Sequence, residues 1–154
     1  MDIQTWIKPA FSVIGKEGST ADGAGFVQRL WDSANDHFDE VAHLAKRDAN
    51  GMPLGFWGAM TDFTGSFRPW EDGFSQGLYL AGVECKDDAE VPGGWVKWRV
   101  PGFEYLRAEC GSPALFADML AYLSEQGLEL AGAVQDFTDP ATGHNFMLFP
   151  VRRL

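Results

Sequence analysis

Basic residues, cysteine and histidine are the scarce ones in this chain, and each shortage closes off a class of function. Only 12 Lys and Arg stand against 22 Asp and Glu, for a formal net charge of -10. Nucleic acids and anionic membrane surfaces are held by Lys/Arg patches. The nearest approach to one here is Arg152-Arg153, so neither nucleic acid nor membrane is an expected partner. The two cysteines, Cys85 and Cys110, both lie in apolar, strand-like runs. That pattern reads as two buried thiols rather than a disulfide framework. The three histidines, His37, His43 and His144, show no metal-ligand spacing, and there is no phosphate-binding loop or dinucleotide fingerprint. No metal and no cofactor are expected. Apolar runs stay short of the ~20 residues of a membrane span. The start, Met1-Asp2-Ile3-Gln4, has the features of no signal peptide, so the expected location is the cytoplasm.

Aromatic side chains, by contrast, are plentiful: six Trp and twelve Phe among 154 residues. A chain of this length suits one domain with a sizeable core. Its aromatic surplus suits a pocket or an interface.

The pattern of apolar residues predicts a strand over Phe11 to Lys16. It then predicts an amphipathic helix carrying Phe26, Leu30, Ala34, Phe38, Val41 and Ala45 on one face, ended by Asn50-Gly51 and Pro53. Strands over Gly55 to Asp62 and Gly77 to Cys85 follow, separated by a long loop with Phe67, Trp70 and Phe74. After Pro92-Gly93-Gly94, short strands are predicted at Trp95 to Val100 and Glu104 to Cys110. Ser112-Pro113 then starts a helix with Leu115, Phe116, Met119, Leu120 and Leu123 as its apolar stripe, and Gly127 closes it. Leu128 to Val134 and Asn145 to Val151 read as the last strands.

The two halves match. Gly58-Ala59-Met60-Thr61-Asp62-Phe63-Thr64 recurs as Gly132-Ala133-Val134-Gln135-Asp136-Phe137-Thr138, five identities in seven residues. Each match stands at the same place in an order of strand, helix, strand, strand, which reads as an internal duplication. The expected fold is α+β: a duplicated β-α-β-β unit, its halves joined about a pseudo-twofold axis into one mainly antiparallel sheet with two helices on one face. The whole of residues 1–154 forms one domain on this reading, with a first repeat at about 9–86 and a second at about 95–154. A ligand cleft where the halves meet and a junction filled by side chains are both open at this stage.

Tyr79-Leu80-Ala81-Gly82-Val83-Glu84, then Val91-Pro92-Gly93-Gly94, Trp98-Arg99-Val100-Pro101, Glu104-Tyr105-Leu106 and Met147-Leu148-Phe149-Pro150-Val151 occur in an order that resembles the GyrI-like family. That family includes the effector-binding domains of AraC-type and MerR-type regulators. Gly55 to Asp62, Pro69 to Glu71 and Gly77 to Cys85 are closer to its stand-alone members. The resemblance runs from about Phe11 to Arg152. It implies an aromatic-lined, polyspecific small-molecule pocket between the repeats, often with a buried carboxylate. Some stand-alone relatives are hydrolases that open the cyclopropane of DNA-alkylating natural products, and others are thought to inhibit gyrase through protein contacts. Only ten residues precede Phe11, too few for a helix-turn-helix, so direct DNA binding is not expected. Many drug-sensing relatives carry a glutamate four residues before the proline of the final Pro-Val. Here that position is Phe146.

Glu84 ends an apolar strand. If it faces the cleft it is a cation partner or a general base, and otherwise it is an exposed strand-end acid beside Lys86-Asp87-Asp88. Trp57, Tyr79 and Tyr105, with Trp31 and Trp98, are either core residues or an aromatic wall for a planar ligand. Trp70 and Glu71 lie in the long loop and are candidates for a lid. The expected ligand-binding set is therefore Trp31, Trp57, Trp70, Tyr79, Glu84, Trp98, Tyr105 and Phe146, with Glu84 as the candidate catalytic group. Gly73-Phe74-Ser75-Gln76-Gly77 matches the G-x-S-x-G pattern but precedes a strand, where a nucleophile elbow needs a helix. The leading expectation is a binder of hydrophobic, aromatic small molecules. The alternatives are a cyclopropane hydrolase and an interaction module with a protein partner.

Overall fold

A computed structural model describes residues 2–154. Eight strands form one antiparallel sheet: β1 (Ile3–Lys8), β2 (Phe11–Ser19), β3 (Phe56–Thr61), β4 (Leu78–Cys85), β5 (Val96–Val100), β6 (Phe103–Glu109), β7 (Gln135–Thr138) and β8 (Asn145–Arg153). Their order across the sheet is β1-β6-β8-β7-β3-β4-β2-β5. Two longer helices, α1 (Phe26–Asp36) and α3 (Leu115–Glu125), and a single irregular turn, α2 (Glu71–Phe74), complete the fold. The succession β2-α1-β3-β4 repeats as β6-α3-β7-β8. The two units meet through β3 and β7, with Gly58 opposite Asp136 in the register. The expected duplicated α+β architecture is present.

The sheet is curled. β1 lies at one end and β2 near the other, yet only Pro9-Ala10 separates them in sequence. Strand alternation therefore turns Trp57, Leu80, Trp98, Phe103, Tyr105, Phe137 and Leu148 into one concave core. Trp6 of β1 reaches across and stacks on Trp57, with centroids 6.1 Å apart. β1 was not expected from the sequence. It pairs with β6 of the second half, as β5, which leads into the second half, pairs with β2 of the first.

The helices cover the convex face. Phe26, Leu30, Trp31 and Ala34 of α1 pack on Tyr79, Ala81 and Val83 of β4. Leu115, Met119 and Leu123 of α3, at four-residue steps, pack on Ala108 and Phe149. The Ser112 hydroxyl accepts a hydrogen bond from the Ala114 amide at 3.1 Å. At the other end Gly127 takes φ 68°, while the Leu128 amide bonds the Leu123 carbonyl and the Gly127 amide that of Ser124. These two bonds make a Schellman stop, as the glycine predicts.

Two expectations need correction. The first helix ends at Asp36, and single 3-10 turns at Phe38–Glu40 and Ala42–Leu44 carry Phe38, Val41 and Ala45 onto the same core. Their spacing cannot distinguish these turns from continued helix. The strand expected at Leu128 to Val134 is displaced, and β7 begins at Gln135. Before it, the Gln135 amide group takes the place of a ladder. Its Oε1 accepts from the Met60 amide at 2.7 Å and its Nε2 donates to the Met60 carbonyl at 3.0 Å. Among the described residues no helix is long and apolar enough to cross a membrane.

Candidate functional site

The convex face along β3 and β7 is left open between α1 and α3, and two cavities occupy it. Side chains alternate along β7, so Phe137 enters the concave core while Asp136 points to the convex side. Opposite Asp136 stands Gly58, and this glycine is what admits the rest of the site. A Cβ at Gly58 would overlap the Tyr79 hydroxyl and stand 3.1 Å from the Asp136 Cβ. Without it, the Tyr79 ring lies across β3 and brings its hydroxyl close to Asp136. The Trp31 indole of α1 donates to that hydroxyl at 2.9 Å, fixing both rings.

The result is a cavity of about 340 Å3 bounded by Trp31, Tyr79, Asp136, Thr138, Asn145 and Met147, with Cys110 at its edge. Among the described residues the Asp136 carboxyl has neither an ion-pair partner nor a side-chain hydrogen bond, and burial raises its pKa to about 6. The Tyr79 phenol is raised by burial first and by the Asp136 charge second, with the Trp31 hydrogen bond acting the other way. The arrangement is an aromatic-walled chamber with one unneutralised carboxyl, which favours a cation or a hydrogen-bond donor.

A second cavity of about 220 Å3 adjoins it, and Met147 borders both. Met60, Trp70, Phe74, Phe116, Ala133 and Val134 complete its lining. Phe74 of α2 meets Phe116 of α3 edge-on at 5.2 Å. The Trp70 indole is tied down by the Leu78 carbonyl at 3.0 Å.

Of the residues singled out from the sequence, Trp31 and Tyr79 come together at the first cavity and Trp70 at the second. Trp57 and Tyr105 are fully buried on the concave side. Trp98 is there too, its indole bonded to the Glu17 carboxylate at 2.6 Å. Glu84 lies away from both cavities. Buried at the end of β4, it pairs with Lys8 of β1 at 2.8 Å, and Lys46 stands at 3.9 Å. Phe146 borders the first cavity, but its ring packs on Phe137 and beneath the Arg107 guanidinium, while its neighbour Met147 faces the convex side. Asp136 of β7 is the ladder partner of Met147, so the carboxyl at the first cavity lies on the face of the sheet opposite the Phe146 ring.

Asp136, Met60, Phe116 and Met147 were not foreseen. One of the two thiols differs from expectation as well. Cys85 is buried, its pKa raised to about 11 chiefly by burial, whereas Cys110 follows the end of β6 and is exposed. Ser75 is exposed and donates to the Asp72 carbonyl at 2.6 Å.

A curled eight-stranded sheet, built from two β-α-β-β units with the helices on its convex face, is the fold of GyrI-like effector-binding domains, and this chain has it. The particular likeness is to the following solved structures. SAV2435, solved bound to tetraphenylphosphonium, matches with a TM-score of 0.67 over 99% of this chain and 94% of its own, at 13% identity. The C-terminal domain of EcmrR matches with a TM-score of 0.63 over 99% and 98%, at 12% identity. A hydrolase from Listeria innocua matches with a TM-score of 0.54 over 97% and 91%, at 13% identity. No family model matches the chain, and no curated protein matches it. At these identities the likeness is one of fold.

Proposed function

We propose that this protein binds hydrophobic, aromatic small molecules of positive charge in the cavity between α1 and α3, with Asp136 as the counter-charge. One observation carries the reading. A carboxyl without a partner among the described residues sits against the Trp31 and Tyr79 rings, in a chamber that any ligand must enter from the convex side. Leaving such a group unpaired costs stability, and a bound cation relieves that cost. The tetraphenylphosphonium complex of SAV2435, a protein of the same fold, supports the choice of ligand class.

The test is calorimetric titration with tetraphenylphosphonium and with the neutral triphenylphosphine oxide, on the wild type and on Asp136→Asn. The wild type binds the cation more tightly, and the substitution costs the cation at least about tenfold while sparing the neutral compound. Equal cation affinity in the two proteins defeats the proposal. Affinity for the cation also falls as the pH drops through about 6, where the Asp136 carboxyl takes up its proton.

A second reading rests on the same carboxyl. A group that titrates near neutral pH beside aromatic walls is suited to general acid–base work on a strained aromatic electrophile. The Listeria innocua hydrolase shares the fold. Consumption of a cyclopropane-containing alkylator by the wild type but not by Asp136→Asn, followed by mass spectrometry, is its signature.

A further inference from the structure

The two cavities differ in chemistry but not in place. Met60 lies two residues beyond Gly58 on β3, and Val134 two residues before Asp136 on the neighbouring segment, so both cavities open on the convex face. Met147 borders both. The first cavity holds the carboxyl. Among the described residues the second presents no charged side chain, and its one polar side-chain group, the Trp70 indole N–H, is already bonded to a carbonyl. Space of that kind holds water poorly and hydrocarbon well. The unbranched Met60 and Met147 side chains can shift to admit a chain of varying length.

A compact cation leaves the second cavity empty. Resting on the cation-binding reading above, we infer that the two cavities form one site for an elongated amphipathic cation. Its ammonium head sits at Asp136, and its alkyl chain passes Met147 into the chamber formed by Met60, Trp70, Phe74 and Phe116. The walls of that chamber come from β3, the α2 turn and α3, so the tail touches both halves of the molecule.

Titration with butyl-, hexyl-, octyl- and decyltrimethylammonium, each below its micelle concentration, tests this. Affinity rises roughly fourfold for each methylene that enters the chamber. Met60→Trp fills the chamber, and Phe74→Ala removes its outer wall at an exposed turn. Each lowers the ratio of decyl to butyl affinity at least about tenfold. An affinity independent of chain length in the wild type overturns the inference, as does a ratio that neither substitution changes. Should Met60→Trp fail to fold, Phe74→Ala decides the matter alone. If tetraphenylphosphonium binds and decyltrimethylammonium does not, the two-chamber inference falls and the cation site stands. If neither binds, both fall.

Discussion

Asp62 and Asp136 occupy the same position of the repeated motif, and the fold has put them to opposite uses. Asp62 is buried and saturated. It accepts from the hydroxyls of Thr61 and Thr64 and from the amides of Ser66 and Arg68. Burial acts to raise its pKa, and the bonds from Thr64, Thr61 and the two amides outweigh that and hold it below the ordinary value. Asp136 receives none of these. Where the first half has Thr61 the second has Gln135, whose amide is occupied with Met60. Thr138, the counterpart of Thr64, bonds Asn145 instead, at 2.6 Å. The counterpart of Ser66 is Pro140, which has no N–H to give. Duplication supplied the acid twice. What surrounds it makes one copy a staple for a loop and leaves the other, among the described residues, unpaired at a cavity.

Asp62→Ala removes the staple. It takes the acceptor from two backbone amides and two hydroxyls around a buried position, and the loop they hold includes Phe67 at φ 57°. A loss of about 3 kcal/mol is expected, since the Thr61 hydroxyl is left unmet in a buried place while the donors of the exposed Thr64, Ser66 and Arg68 exchange a charged acceptor for water. Urea denaturation measures it, and a loss below about 1 kcal/mol contradicts the staple. Because the folded pKa is depressed, the stability Asp62 contributes is present above its ordinary value of 3.8 and is lost as the pH falls through the lower folded value.

Asp136 has the opposite sign. Its folded pKa of about 6 lies above the ordinary 3.8, so between those values the folded state holds the proton more tightly. The unliganded protein therefore pays a penalty above pH 6 that disappears below 3.8. Asp136→Asn is expected to stabilise the unliganded protein at pH 8 by about 2–3 kcal/mol, with the gain shrinking to about 0.5 kcal/mol near pH 4. Melting the two proteins across this range checks it. A destabilised Asn variant at pH 8 means that Asp136 has a partner after all, and the contrast with Asp62 collapses.

Much of this was open to a reader of the sequence. The matching heptads announced the duplication, and apolar spacing with Ser112 and Gly127 placed α3. β1 was missed because its partner is β6, about a hundred residues away, and nothing local marks that pairing. Glu84 drew attention as an acid in an apolar strand. The lysine that neutralises it, Lys8, comes from that same unforeseen strand. Asp136 was in plain view as half of the repeat, but likeness conceals function. The useful signal was the difference between the copies, above all a proline where the first copy uses an amide. In the sequence Gly58 is one more shared residue of the motif, whereas its role is to leave room for the Tyr79 hydroxyl, which only the strand register reveals.

The smallest expected effect asks how much of the site belongs to the wall rather than the charge. Trp31 comes from the first half and Asp136 from the second, so the first half lends its aromatic surface to the second half's acid. Trp31→Phe keeps a smaller ring on the α1 face and removes the N–H that bonds the Tyr79 hydroxyl along with part of the indole's apolar surface. The loss of one hydrogen bond between neutral groups costs about 1 kcal/mol of stability. That bond also acts to lower the phenol's pKa, so its removal raises the pKa further. For a ligand the aromatic face persists, and tetraphenylphosphonium affinity should fall only about threefold, well short of the loss from Asp136→Asn. Titration of both variants side by side ranks the two contributions. A greater loss from Trp31→Phe would mean that the first half's wall, and not the unpaired carboxyl, defines the site.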